Sequence, residues 1–156
     1  MKNKYLATLI LLVLNILCIF AVDFTTFRHK TGGAISGNGN PGIIAVILGL
    51  LFLIIFLVIL FFISAEYFKK ISFKFSRGIV PSSLIIIVIL MLFAEGRKIH
   101  LLEHNLNGFT NEKGSIVYRF GWVNQYTNSL FYNGYILIFG VALTILASWV
   151  YVRTLG

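Results

Sequence analysis

The stretch IIAVILGLLFLIIFLVILFFI, residues 43–63, decides the fold class of this chain. It has 21 consecutive residues without a charge. As a helix it would rise about 30 Å, which is the thickness of the hydrocarbon core of a bilayer. A run this long and this apolar has no place in the core of a small water-soluble domain. The stretch therefore predicts a helix that spans a membrane.

The composition of the whole chain agrees with this prediction. Of 156 residues, 58% are hydrophobic and 12% are charged, whereas soluble proteins have about 25% charged residues. The net charge is +8. The basic residues of the chain lie between apolar runs and not along one solvated face, which favours anionic lipid headgroups over nucleic acid as partners. We expect an integral membrane protein that binds membrane lipids and no nucleic acid.

Three further segments are apolar and about as long as a spanning helix. The first follows Lys2 and Lys4 and is similar to a signal peptide, but bulky residues stand where a cleavage site needs small ones. Cys18 within it is the single cysteine, so no intrachain disulfide can form. The prediction is an all-α, single-domain four-helix membrane bundle, with spans at residues 5–22, 43–63, 79–94 and 130–152.

The basic residues in the connections predict the orientation, because cytoplasmic connections are enriched in Lys and Arg. The short connection 64–78 contains Lys69, Lys70, Lys74 and Arg77. The opposing connections, 23–42 and 95–129, contain six basic residues, but four of these lie in the longer one, where the rule weakens and three Glu residues share the space. We place both termini and the 64–78 connection in the cytoplasm, and the protein in the plasma membrane.

The 64–78 connection also predicts lipid binding. In FKKISFKFSRG, residues 68–78, phenylalanines alternate with the four basic residues. This pattern is typical of a strip that lies on an anionic leaflet with its rings inserted and its cations at the headgroups. Alternatively, the basic residues only set the topology and the phenylalanines are ordinary aromatic anchors at the membrane surface. This interpretation is compatible with lipid binding.

The connection 95–129 is the larger of the two external connections. Apolar residues at 99, 101, 102 and 106 and the stop signal Asn107-Gly108 predict a helix in its first part. Either the third helix continues past the membrane, or it kinks at Gly96 and a short helix lies on the membrane surface. The second part is rich in aromatic residues with Asn and Gln, which predicts interfacial structure leading into the last span.

The sequence HLLEH, residues 100–104, has the spacing H-x-x-E-H that holds zinc in one class of soluble proteases. His100 and His104 would share a helix face, with Glu103 beside them. A zinc site needs a third protein ligand, and His29 and Glu112 are the remaining candidates outside this motif. We expect no cofactor and interpret the motif as the polar face of an interfacial helix. Zinc bound by His100, Glu103 and His104 is the alternative.

The spans themselves contain few polar residues. None has an ionisable residue at its centre, which argues against an ion-coupled carrier. Asn15 and Asn133 are among the internal polar groups. Small residues recur every fourth position along one face of the last span, which predicts close helix packing within the chain or against a second subunit. These residues are Gly140, Thr144 and Ser148.

Three functions are consistent with these features, and the first is the one we favour. It is a small non-enzymatic polytopic protein, either an accessory or assembly subunit of a larger membrane complex or an immunity-type protein. It would act through helix packing and its aromatic external connection on a partner membrane protein. The second is an outer-leaflet enzyme for a lipid-linked or metal-dependent substrate, using His100, Glu103 and His104 with Arg97 or Arg119. The third is a homo-oligomeric pore or carrier.

Overall fold

The structure, a computed structural model, describes residues 2–29, 35, 37, 39–71, 78–108 and 112–155, with Lys2 and Leu155 described by backbone only. Of these residues, 80% are helical and none lies in a strand, which confirms the all-α class. The helices are α1 (Lys2–Thr25), α2 (Gly42–Lys70), α3 (Ile79–Asn105), α4 (Ile116–Phe120), α5 (Asn128–Phe131) and α6 (Gly134–Leu155).

Four segments are long and apolar enough to cross a membrane. They are α1, α2, α3 and the α5–α6 segment Asn128–Thr154. The chain thus has the architecture of a multi-pass membrane protein. The helices are longer than the apolar runs that predict them, because backbone hydrogen bonding continues into polar residues: α2 runs on through Glu66 to Lys70.

The long helices pack in the order α1, α2, α6, α3. The main contacts are between α1 and α2, between α2 and α6, and between α6 and α3. Helix α3 stands at the edge of the bundle, and Leu84 is its one buried side chain among those described. The bundle is therefore an open row of helices with α1 and α3 at its two ends.

The centre of the bundle is a cluster of buried apolar side chains, which are Val22, Val46, Leu53, Phe56, Tyr132 and Leu137. The outward faces of the long helices are also apolar. Phe20 on α1, Phe62 on α2 and Phe93 on α3 are each more than 60% exposed. In water these faces would be unfavourable, whereas lipid chains cover them without cost.

Helix α3 is continuous through Gly96 and ends where Asn107-Gly108 predicts. Asn107 has a φ of 58° and Gly108 a φ of 88°. The Gly108 N–H donates to the Glu103 carbonyl over 2.9 Å, so the turn satisfies a carbonyl at the helix end. Residues 95–105 are therefore the last turns of α3. Of the two alternatives for this part of the chain, the structure has the continuous third helix, and a separate interfacial helix in residues 95–105 is not shown.

The last spanning segment is interrupted just before α6. Tyr132 is extended, with φ −152° and ψ 115°. The Asn133 Oδ1 accepts hydrogen bonds from the N–H groups of Tyr135, over 2.8 Å, and Ile136, over 3.1 Å. Asn133 therefore caps the start of α6. The predicted span 130–152 does not form one uninterrupted helix for this reason.

Candidate functional site

Residues 106–108 and 112–133, which we call the cap, fold over one end of the bundle. We call this end the cap end; the opposite end carries both termini. The cap has its own apolar core of Leu106, Ile116, Val117 and Tyr126, against which Leu102 of α3 packs. Ser115 caps the start of helix α4, and its buried hydroxyl accepts the Tyr118 N–H over 3.0 Å. The cap is thus a folded unit that packs on the end of α3.

A turn at residues 121–127 is held by buried side chains. Asn124 accepts the Tyr126 N–H over 2.8 Å and donates to the Gly121 carbonyl over 2.6 Å. The Thr127 hydroxyl donates to the Trp122 carbonyl over 2.5 Å. Asn124 and Thr127 are almost completely shielded from solvent. Because buried polar groups are costly to leave unpaired, these bonds fix the shape of the turn.

The cap is bound to the helix ends on the α1–α2 side by polar contacts. The Phe27 N–H, just beyond α1, donates to the Gln125 carbonyl over 2.9 Å. Asn40, just before α2, and Asn128 exchange two amide hydrogen bonds of 2.9 and 2.6 Å. A Cβ at Gly42 would lie 2.7 Å from the Thr25 hydroxyl, so α1, α2 and the cap approach closely here. These contacts hold the cap to two spans.

Polar contacts also bind the cap end of α3. The Asn133 amide donates to both Glu95 carboxylate oxygens, over 3.2 and 3.0 Å. The Lys98 ammonium donates to the Ser129 carbonyl. A carboxylate and an ammonium near the membrane are costly unless they are hydrogen-bonded, and the cap supplies a partner to each. The same cap segment therefore links α3 to α6.

Tyr132 connects the cap to the centre of the bundle. Its side chain is fully buried, and its ring packs against Gly49 of α2. Its hydroxyl donates to the Asn15 side-chain oxygen of α1, while the Asn15 amide donates to the Leu11 carbonyl over 2.7 Å. The polar groups of Asn15 and Tyr132 thus satisfy each other within the apolar core.

Residues 118–123 of the cap expose apolar and aromatic side chains, which we call the aromatic surface. Its members are Tyr118, Phe120, Trp122 and Val123. Tyr118 and Val123 are each 54% exposed. They lie on α4 and the hydrogen-bonded turn that follows it, with exposed Arg119 among them. The arrangement presents large rings on a base of fixed shape.

The HLLEH motif lies on the last turns of α3. His100 and His104 are exposed, and Glu103 is half-buried. Of the two further ligand candidates, His29 stacks edge-on against Tyr126 and the Glu112 carboxylate lies against Gly108. Within the part of the chain that the structure describes, no group of three His, Cys, Asp or Glu side chains could hold a metal ion. Zinc binding by His100, Glu103 and His104 stays a prediction.

The predicted lipid-binding residues lie at the opposite end of the bundle. Lys69 and Lys70 are exposed in the last turn of α2, where cations interact favourably with the helix dipole. Lys74 and Arg77 fall outside the described residues. Nearby, Lys4 of α1 forms an ion pair with Glu66 of α2. Lipid binding by the four basic residues also stays a prediction.

The small residues of α6 differ in what surrounds them. A Cβ at Gly140 would be 3.1 Å from the Leu57 side chain of α2, so Gly140 allows the close contact of these two helices. Ser148 is fully buried and donates to the Ile145 carbonyl over 2.8 Å. Thr144 lines an outward-facing groove between α2 and α6. Gly140 and Ser148 thus pack within the chain, whereas Thr144 also faces outward.

The polar contacts of the cap were missed by the sequence analysis. Asn15 and Asn133 are recognisable in the sequence as internal polar residues, but the sequence does not indicate their partners. The signal available was the cost of an unpaired amide within a span, which requires a partner on another helix or in the cap.

No protein family, no curated protein and no solved structure matches this chain.

Proposed function

We propose that this chain is a non-enzymatic membrane protein that binds a partner membrane protein through the aromatic surface of its cap. The observation that carries the proposal is the exposure of Tyr118, Phe120, Trp122 and Val123 on α4 and on the turn after it, whose shape buried hydrogen bonds fix. Tyr, Trp and Arg are the residues that most often dominate binding energy at protein interfaces. The proposed role is that of an accessory or assembly subunit, or of an immunity-type protein.

The rigidity of the cap supports this role. A surface that is already ordered loses little conformational entropy when a partner binds, so more of the contact energy contributes to affinity. Contacts from Phe27, Asn40, Glu95 and Lys98 hold the cap to three of the long helices or their ends. The cap therefore has a fixed position relative to the membrane-spanning helices, as a subunit that docks beside a partner requires.

The charge of the surface indicates the chemistry of the partner. Arg119 is the cation exposed within the aromatic surface. Opposite potentials across an interface steer association and favour the correct orientation. We expect the partner to offer apolar side chains with acidic groups at their rim, on a segment outside the bilayer.

Site-specific photocrosslinking in native membranes tests the proposal. A benzoyl-phenylalanine placed at Tyr118 should give one discrete protein adduct. The matched control replaces Phe24, a 91%-exposed aromatic residue near the cap end of α1 that faces lipid in the proposed bundle. This control should give no such adduct. Adding Trp122→Ala to the Tyr118 probe should reduce the adduct strongly, since a central aromatic residue contributes about 2 kcal/mol to binding.

Two outcomes would contradict the proposal. The first is the absence of any protein adduct from position 118 when the protein is expressed at its native level in its own membrane. The second is the same adduct from positions 118 and 24, which would show contact through the spans and not through the aromatic surface.

A further inference from the structure

A groove lies between α3 and α6 at the cap end and is separate from the aromatic surface. Its volume is about 590 Å³. Its walls combine apolar side chains with cations and neutral polar groups, and the residues that matter here are Phe93, Arg97, Lys98, Leu101, Asn105 and Tyr135. The groove is partly open to its surroundings, so a ligand can enter it from outside the bundle.

The two cations of the groove differ in their contacts. Lys98 is half-buried, and its ammonium donates to the Ser129 carbonyl, which leaves two further N–H donors. Arg97 is exposed, and within the described ranges no residue forms a hydrogen bond or an ion pair with its guanidinium. Glu95, the nearest acid along the helix, accepts from Asn133 instead. The groove therefore has an uncompensated positive charge at its rim.

The position of the cations along α3 matches the headgroup region of a bilayer. Arg97 lies three residues beyond Ala94, the last residue of the predicted apolar span, which is a rise of about 4.5 Å. Phe93, at the membrane side of the groove, is 67% exposed. Tyr135 lies across the groove near the start of α6, and tyrosine is enriched where hydrocarbon meets the headgroups. The groove thus changes from apolar to cationic along the direction in which a lipid molecule changes from chain to headgroup.

We propose that this groove binds one anionic phospholipid of the leaflet at the cap end. The phosphate accepts hydrogen bonds from Arg97, whose planar guanidinium offers two parallel donors to phosphate oxygens. Lys98, whose charge is partly offset by the carboxylates of Glu95 and Asp23, contributes its remaining N–H donors, and an acyl chain lies along Phe93. A lipid bound here would fill the open side of the α3–α6 pair, the side on which α3 has few buried residues of its own.

The test measures lipid retained by the full chain. Protein is purified in mild detergent from bilayers that contain phosphatidylglycerol and phosphatidylcholine, and the retained lipid is counted by native mass spectrometry. Wild type should retain about one phosphatidylglycerol per chain. Arg97→Gln should lower its affinity about fivefold, since a cation near the headgroups contributes about 1 kcal/mol. Arg97→Lys should restore part of the loss.

A control variant and a competitor distinguish lipid binding in the groove from general binding of anions at this end of the protein. Arg28→Gln removes a cation at the same end of the protein, 3.6 Å from Asp23 and outside the groove, and should leave retention unchanged. Inorganic phosphate at millimolar concentration should not displace the lipid. Unchanged retention in Arg97→Gln, an equal loss in Arg28→Gln, or displacement by inorganic phosphate would each overturn the proposal. None of these outcomes depends on the aromatic surface or its partner.

Discussion

Tyr132 joins the cap to two spans at once. Its ring lies against Gly49 and its hydroxyl donates to Asn15, a residue 117 positions earlier in the chain. The three residues depend on one another: glycine makes room for the ring, the extended backbone at Tyr132 aims it inward, and the hydroxyl satisfies the amide oxygen. Interhelical hydrogen bonds of this kind contribute on the order of 1 kcal/mol in membrane proteins.

The pair Asn15 and Tyr132 should be energetically coupled. Tyr132→Phe should destabilise the fold by on the order of 1 kcal/mol, because it leaves a buried amide oxygen without its donor. In the double variant with Asn15→Leu, the loss due to Tyr132→Phe should largely vanish. Denaturant titrations of the four proteins in detergent measure the coupling. Tyr67→Phe, at a 62%-exposed position, is the matched control and should be silent. Purely additive effects would contradict the assigned contact.

Two helix-interior glycines should respond oppositely to the same substitution. At Gly49 a Cβ would overlap the Tyr132 ring, so Gly49→Ala should destabilise by about 1–3 kcal/mol through overpacking. At Gly96 nothing lies within 4 Å of a Cβ, so Gly96→Ala should stabilise by up to about 1 kcal/mol through helix propensity. Thermal unfolding in detergent compares the two. Stabilisation by Gly49→Ala would argue against the packing of Tyr132.

Helix α3 shows how far an element can be predicted from its sequence. Its apolar run predicts the start at residue 79, and Asn107-Gly108 predicts the end, because left-handed backbone at those positions stops a helix. Whether residues 95–105 continue the helix or form a new one depends on contacts outside the segment. Glu95 and Lys98 find their partners in Asn133 and Ser129, and these tertiary contacts support the continuous helix.

The candidate site was harder to predict than the spans. Hydropathy depends on each residue and its near neighbours, whereas the cap depends on contacts between distant segments. Asn40 and Asn128, 88 positions apart, form an amide pair that no local pattern indicates. The sequence alone shows that the second half of the 95–129 connection is rich in aromatic residues. The fixed turn that exposes Trp122 follows only from the buried bonds of Asn124 and Thr127.

The histidines of α3 should be dispensable for metal content and for function. His100 and His104 are exposed, and one helix face supplies two ligands where a stable zinc site needs three or more. His100→Ala and His104→Ala should therefore leave stability and crosslinking from the cap unchanged. Metal analysis after dialysis, for wild type and both variants, measures this directly. One zinc per wild-type chain, lost in either variant, would favour the enzyme hypothesis.

At the scale of the whole molecule, the distribution of basic residues predicts that the cap lies outside the cell and both termini inside. A cysteine at Lys113 in the cap should react with a membrane-impermeant maleimide in intact cells. A cysteine at Gly78, beside the basic connection, should react only after the membrane is opened. Cys18, within α1, should stay unlabelled in both cases. Labelling of Gly78→Cys alone in intact cells would reverse the orientation.

Thiol protection measures most directly whether a partner covers the aromatic surface in the native membrane. In opened native membranes, Val123→Cys should react with maleimide much more slowly than in the purified protein. Lys113→Cys, exposed elsewhere on the cap, should react equally fast in both. Protection at 123 alone is the result we predict. Equal rates for Val123→Cys in native membranes and after purification would show that no partner covers this surface.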